Sequence, residues 1–211
     1  MLLRGSMNQY EKSIDLYGDN IGRVDYVSHM GSDLTVVNSA RVSFGNTKSE
    51  LDKRDRKLIR YLIAHKHTST LEHCVVTYKF TVPLFIRSQH HRHRTWSYNE
   101  ISRRYTDKEL RFYCPREFRT QHKSNRQASN VEELIDPHLW HEPGTQLVRA
   151  FHPQASEVYA GHCQSSLNLF HELVNKGVCR EQARGVLPQT LYTEYYGTCN
   201  LNNLLKFVSL R

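Results

Sequence analysis

The hydrophobic rhythm of the chain predicts an α+β fold: one domain, with an antiparallel or mixed sheet and flanking helices. Three observations carry this. Between residues 51 and 64, Leu51, Leu58, Ile59, Leu62 and Ile63 form one helical stripe with Arg and Lys opposite. From His73 to Val82 the period falls to two: Cys74, Val76, Tyr78, Phe80 and Val82 alternate with residues that include Thr77, Lys79 and Thr81. From Ala155 to Asn175 helical spacing returns, with Val158, Tyr159, Cys163, Leu167, Phe170 and Val174 on the inward side. A chain of 211 residues suffices for one sizeable core, so residues 1–211 are read as a single domain.

The remaining elements follow from punctuation. Pro83 suits the first turn of a short helix that delivers Arg87 and Gln89. Residues 95–105 read as an irregular loop, the usual home of binding groups. The polar stretch 119–153 reads as a long inserted loop with one short helix near Val131 to Ile135. Gly177 ends the long helix as a C-terminal cap would. A short helix near Arg180 to Val186 stops before Pro188, residues 190–197 are strand-like, and Asn200 to Val208 forms a last amphipathic helix. Residues 1–20 read as disordered or tag-derived, since Gly5-Ser6-Met7 resembles a cloning remnant as much as an upstream start.

Composition narrows the partners. A formal charge of +8 and a pI near 9.3 favour anionic ligands. The five cysteines, Cys74, Cys114, Cys163, Cys179 and Cys199, are odd in number and never fall in a Cys-x-x-Cys pair. That pattern fits reduced thiols in a cytoplasm rather than a disulfide frame or zinc ribbon. No apolar run approaches the roughly 18 residues of a spanning helix, so a membrane partner is not expected.

Chemistry concentrates between Arg87 and Tyr105, where five arginines and three histidines surround a single acid, Glu100. The planar guanidinium fork fits phosphate oxygens. A lone carboxylate among cations accepts hydrogen bonds from a sugar hydroxyl or a ring nitrogen. Tyr98, Asn99, Ser102 and Tyr105 add neutral donors and aromatic faces. The set suits a phosphorylated, ring-containing molecule such as a nucleotide, although basic runs of this kind also serve as nucleic-acid patches or solvated surface.

The order of these residues is more specific than their composition. Arg92-His93-Arg94, Ser97, Asn99-Glu100, Ser102 and Arg104-Tyr105 fill every position of a pattern that resembles the signature of flavin-dependent thymidylate synthases. Ala40-Arg41-Val42-Ser43-Phe44 is similar to an early segment of that family. So are His67, Ser69, Glu72 and His73, and so is Arg180 to Pro188 with Ala183, Arg184, Leu187 and Pro188 in register. The likeness covers roughly Val24 to Arg211, with a longer polar insert than the shorter members have.

The resemblance implies the α+β fold of these synthases, a homotetramer with active sites at subunit interfaces, and conversion of deoxyuridylate (dUMP) to thymidylate (dTMP). Methylenetetrahydrofolate would supply the carbon, and FAD reduced by NADPH the hydride. By resemblance, dUMP meets Gln89, Arg92, Glu100, Ile101, Ser102, Arg103, Arg104, Arg184 and Arg211. FAD meets Ser69, Arg92, His93, Arg94, Glu100, Asn200, Asn202 and Lys206. Arg211 is the candidate catalytic group, because a guanidinium can fork onto a uracil carbonyl and the neighbouring ring nitrogen. The chain departs from the family at Asn200-Leu201-Asn202, where Asn-x-Arg is common, at Lys206, where Asn is common, and in ending at Arg211.

Competing chemistries fit less well. No Ser-His-acid order or nucleophile elbow surrounds Ser102, and no cysteine lies in a catalytic motif, so nucleophilic catalysis is not expected. The histidines His65, His67, His73, His90, His91 and His93 form no His-Glu-x-x-His motif, and nearby arginines repel a divalent ion; no metal is expected. A non-catalytic nucleic-acid binder, supported by charge and by Trp96, Tyr98 and Tyr105, is the alternative reading; it predicts steep salt dependence and no flavin.

Overall fold

Asp52 shows how local chemistry sets an element boundary. Its carboxylate accepts from the backbone N–H groups of Arg54 and Asp55, and Asp55 returns the favour to the N–H of Asp52. The computed structural model describes residues 12–102, 109–139 and 153–210. In chain order these form β1 (Ser13–Asp15), β2 (Arg23–Met30), α1 (Asp33–Arg41), α2 (Lys53–Ala64), β3 (Val75–Pro83) and α3 (Leu84–His90). There follow β4 (Ser97–Glu100), β5 (Phe118–Gln121), β6 (Ser129–Ile135), α4 (Ala155–Asn175), α5 (Arg180–Ala183), β7 (Tyr192–Asn200) and α6 (Leu201–Ser209). The fold is α+β, as the changes of rhythm predict.

The chain divides into two units, residues 1–101 with 193–211, and residues 102–192. The first is built on a five-stranded sheet in the order β1-β2-β3-β7-β4. Strand pairs β1–β2, β2–β3 and β4–β7 are antiparallel. Thr193, Tyr195, Gly197 and Cys199 of β7 are buried on one face, whereas Tyr196 on the other is 47% exposed. The outer face pairs Thr77 with Thr198 and Lys79 with Glu194. Beside the sheet, Val36, Leu62, Leu71 and Cys74 form a core with Leu58, Ile59 and Leu201 packed against it.

α2 forms where the stripe predicts, but Leu51 and Ile63 stay exposed. Leu51 precedes the capping Asp52, and the position turned inward is Asp55. This buried carboxylate pairs with Arg41 and Lys48, and the Lys48 hydrogen bond, then that from the Asp52 backbone, hold it below the usual carboxylate range. Pro83 takes the N-cap of α3, one residue earlier than expected.

The second unit holds the long helix with the predicted bounds. Cys163 and Phe170 are buried, and the Cys163 thiol meets the Thr190 hydroxyl. Gly177, at φ +89°, closes the helix: its N–H reaches Val174 O, and Val178 N–H reaches Leu173 O. The polar insert differs from expectation. β5 and β6 pair as an antiparallel hairpin, so Val131 to Ile135 is strand rather than helix. Val131 and Ile135 are β-branched, a preference for extended backbone that four or five residues of helical spacing do not outweigh.

Candidate functional site

Half of the described part of the irregular loop expected at 95–105 is strand β4, paired to β7 from Ser97↔Thr198 to Glu100↔Tyr195. This edge strand has polar residues at Ser97, Asn99 and Glu100, so it lacks the apolar alternation that reveals a half-buried strand. Its consequence is functional. The arginine-rich segment is held between the C-terminus of α3 and the start of a sheet strand.

The turn between them is tight. His91 N–H reaches Arg87 O at 2.9 Å, and His93 N–H reaches His90 O at 2.9 Å. The Tyr98 hydroxyl donates to the carbonyls of His90 and His93 at 2.9 and 3.1 Å. His90 is buried against Phe80, Trp96 and Phe207, with its Nδ1 2.8 Å from the Tyr195 hydroxyl. The His91 ring stacks on Tyr98 with centroids 4.0 Å apart. Burial pushes the Tyr98 phenol up to about 12 and moves Tyr195 upward as well, so both stay protonated. Burial, then the neighbouring Arg87 charge, lowers the pKa of His91.

This aromatic bed leaves Arg92 and Arg94 exposed. Among the described residues neither has a carboxylate partner, so both guanidinium groups are available to an anion. His93 is half-buried with its ring edge on Phe207, centroids 4.8 Å apart. Glu100 is held firmly: its Oε1 accepts from Arg87 Nε at 3.0 Å and from the Thr193 hydroxyl at 2.6 Å. The sequence reading placed Arg87 in the basic segment but did not foresee its bond to Glu100, and it missed Thr193. The i to i+13 spacing of Arg87 and Glu100 carries no local signal, and Thr193 lies in a distant strand.

Other predicted site residues in the same unit are Ser69, Gln89, Ile101, Asn200, Asn202 and Lys206. Ser69, Gln89 and Lys206 are exposed, and Ile101 is anchored by its N–H to Glu194 O at 2.9 Å. Asn200 caps α6, its Oδ1 accepting from Asn203 N–H at 2.9 Å. Asn202 is buried, and its Nδ2 donates to Glu72 Oε1 at 2.9 Å. Ser102 and Arg184 belong to the second unit, where Arg184 Nε donates to Glu181 O at 3.3 Å. Arg103, Arg104 and Arg211 lie outside the described residues.

The donor set fits a flavin dinucleotide. Two exposed guanidinium groups two residues apart can meet a diphosphate, and the buried aromatic bed beneath them holds their turn in place. No group of three metal-ligating side chains occurs among the described residues. None of the described helices is long and apolar enough to cross a membrane.

Comparison with known proteins agrees with the signature. The family model described as thymidylate synthase complementing protein matches residues 25–211. The chain is 40% identical over 190 residues to the flavin-dependent thymidylate synthase of Thermus thermophilus, a match covering 90% of this chain and 64% of that protein. It therefore spans just under two thirds of that relative's length. With the flavin-dependent thymidylate synthase of Thermosipho melanesiensis it shares 36% over 191 residues, covering 90% and 76%. Among solved structures, the UMP/dUMP methylase PolB from Streptomyces cacaoi bound with 5-Br dUMP aligns with a TM-score of 0.71 at 30% identity. That alignment covers 93% of this chain and 80% of PolB.

Proposed function

The chain belongs to the thymidylate synthase complementing protein family, and from that premise we propose that it methylates dUMP to dTMP. Methylenetetrahydrofolate is the carbon donor, and NADPH the reductant of a bound FAD. The working form is a cytoplasmic homotetramer with active sites at subunit interfaces. The names of its relatives support this reading, and so does the 5-Br dUMP bound in the PolB structure. The observation that carries it is the Arg92-His93-Arg94 turn set beside a fixed carboxylate at Glu100.

When bound, the flavin supplies the hydride that converts the transferred carbon to a methyl group. The residues of the chain bind and orient. Arg92 and Arg94 neutralise diphosphate and phosphate oxygens, and His93 offers a ring edge beside them. Gln89, Ile101, Ser102, Arg103, Arg104 and Arg184 complete the nucleotide contacts. Glu100 accepts from a ligand hydroxyl or N–H. By the resemblance, Arg211 would meet the uracil carbonyl and imide, where a permanent cation stabilises negative charge that builds during the reaction. Ser102 binds and does not attack, since no base stands next to it in sequence to activate its hydroxyl. On the flavin side, Asn200 and Asn202 act through the shape of α6, because their described bonds are internal.

Incubation of the full chain with dUMP, methylenetetrahydrofolate, NADPH and FAD, followed by mass analysis of the nucleotide, tests the proposal. Thymidylate formed only with all four is the expected result. A parallel reaction with UMP checks substrate breadth, because the structural neighbour PolB is a UMP/dUMP methylase. Absence of flavin binding, together with steeply salt-dependent DNA or RNA binding, would favour the non-catalytic nucleic-acid reading instead.

A further inference from the structure

Three elements converge on a single oxygen atom. Glu100 ends β4, Arg87 lies in α3, and Thr193 lies in β7, yet Arg87 Nε and Thr193 Oγ1 both donate to Glu100 Oε1, at 3.0 and 2.6 Å. An arginine placed only to bridge two elements commonly meets a carboxylate through two parallel N–H···O bonds, one to each oxygen. Here both donors fall on the same oxygen. Among the described residues nothing reaches Oε2, and nothing but Oε1 engages the Arg87 guanidinium. Thr193 is buried, so its hydroxyl is confined, and the side chains of Glu100 and Arg87 are 22% and 31% exposed.

We propose that Arg87 and Thr193 are positioning residues for Glu100, holding Oε1 so that Oε2 is presented to a hydroxyl or N–H of the bound nucleotide. This rests on the reading of Glu100 as a nucleotide contact. The physical gain is preorganisation. A free glutamate must give up rotamer freedom when it accepts a ligand's hydrogen bond, whereas a carboxylate fixed at one oxygen has already lost it. Arg87 serves through Nε rather than the end of its fork, which fixes the plane of the guanidinium beside the carboxylate. The pair itself adds little to folding, as partly exposed ion pairs generally do. Its loss should therefore register in binding more than in stability.

The test is a double-mutant cycle read by equilibrium titration of the full chain with dUMP. Arg87→Ala and Thr193→Val are each expected to weaken dUMP about three- to tenfold, the scale of ordering one flexible side chain. Arg87→Ala should leave the thermal midpoint close to that of the wild type, and Thr193→Ser should restore wild-type affinity. In a Glu100→Ala background, adding Arg87→Ala should cost no further affinity, because the group it positions is gone. Equal weakening by Arg87→Ala in both backgrounds would overturn the proposal, since Arg87 would then act on the ligand directly. Unchanged dUMP affinity in Arg87→Ala with a lowered midpoint would overturn it too, leaving a structural role. A wild-type chain that binds no dUMP would instead sink the proposed function, so the two failures are distinct.

Discussion

The Tyr195 hydroxyl stands 2.8 Å from His90 Nδ1 and joins the middle of β7 to the last residue of α3. Arg92, His93 and Arg94 begin two residues after that histidine, so the bond fixes where the cationic turn leaves the protein. Tyr98 repeats the device from β4 by donating to the carbonyls of His90 and His93. Two phenols thus brace one turn from two neighbouring strands. Because burial raises the pKa of both, the two phenols do not ionise at physiological pH.

Tyr195→Phe keeps the ring that stacks on Phe80, with centroids 5.1 Å apart, and removes the hydroxyl. It costs His90 Nδ1 this hydrogen bond in a buried setting, so stability should drop by about 1–3 kcal/mol. Urea denaturation at neutral pH measures this. Flavin retention on purification should fall as well, since the turn is less constrained. Unchanged stability would show that the bond contributes nothing net.

Gly197→Ala should also destabilise, for a steric reason. A Cβ at Gly197 would lie 2.8 Å from Phe80 Cε2 and 3.3 Å from Trp96 Cε3. Both rings belong to the bed beneath the turn, and neither can retreat without disturbing His90. Overpacking of this kind costs about 1–3 kcal/mol. The thermal midpoint should fall, and the tryptophan emission of the native state should shift if the ring moves.

His91 makes stability depend on pH in a definite direction. Its folded pKa is depressed by burial and by Arg87, with Glu100 opposing, so below about 6.5 the unfolded chain takes up a proton that the folded chain resists. The stability associated with His91 is therefore present above that pH and is lost as pH falls through the folded pKa. His91→Gln should shallow the decline. Melting curves of both proteins from pH 8 down to pH 5 give the comparison, and parallel curves would show that His91 is not the titrating group.

Much of this architecture is legible in sequence, and the exceptions share a cause. The bounds of α4 follow from a long amphipathic repeat and Gly177, both of which are local signals. β4 escapes notice because three of its four residues are polar and its pairing partner lies about a hundred residues away. Likewise the motif order identifies Glu100 as a site residue, but the groups that hold it come from α3 and β7. Asn202, assigned to the flavin although the family commonly has Arg at that position, also donates its amide to Glu72, a bond that no local signal announces.

That bond makes Asn202→Asp the sharpest test of whether Asn202 is structural. The amide donates to Glu72 Oε1 at 2.9 Å from a buried position, so the substitution replaces a donor with a second carboxylate facing the first. Two like charges that close cannot both ionise cheaply, and one of the pair will hold its proton to a pKa above the normal range. A group whose folded pKa is raised contributes stability that is present at low pH and lost as pH rises through that pKa. The variant should therefore be destabilised at pH 7, by about 1–3 kcal/mol for the broken buried bond, and should recover toward wild type as pH falls to the carboxylate range. Urea denaturation at several pH values follows both proteins. If Asn202 instead serves the flavin directly, the variant should lose flavin with no pH-dependent recovery of stability, and that pattern would support the ligand role.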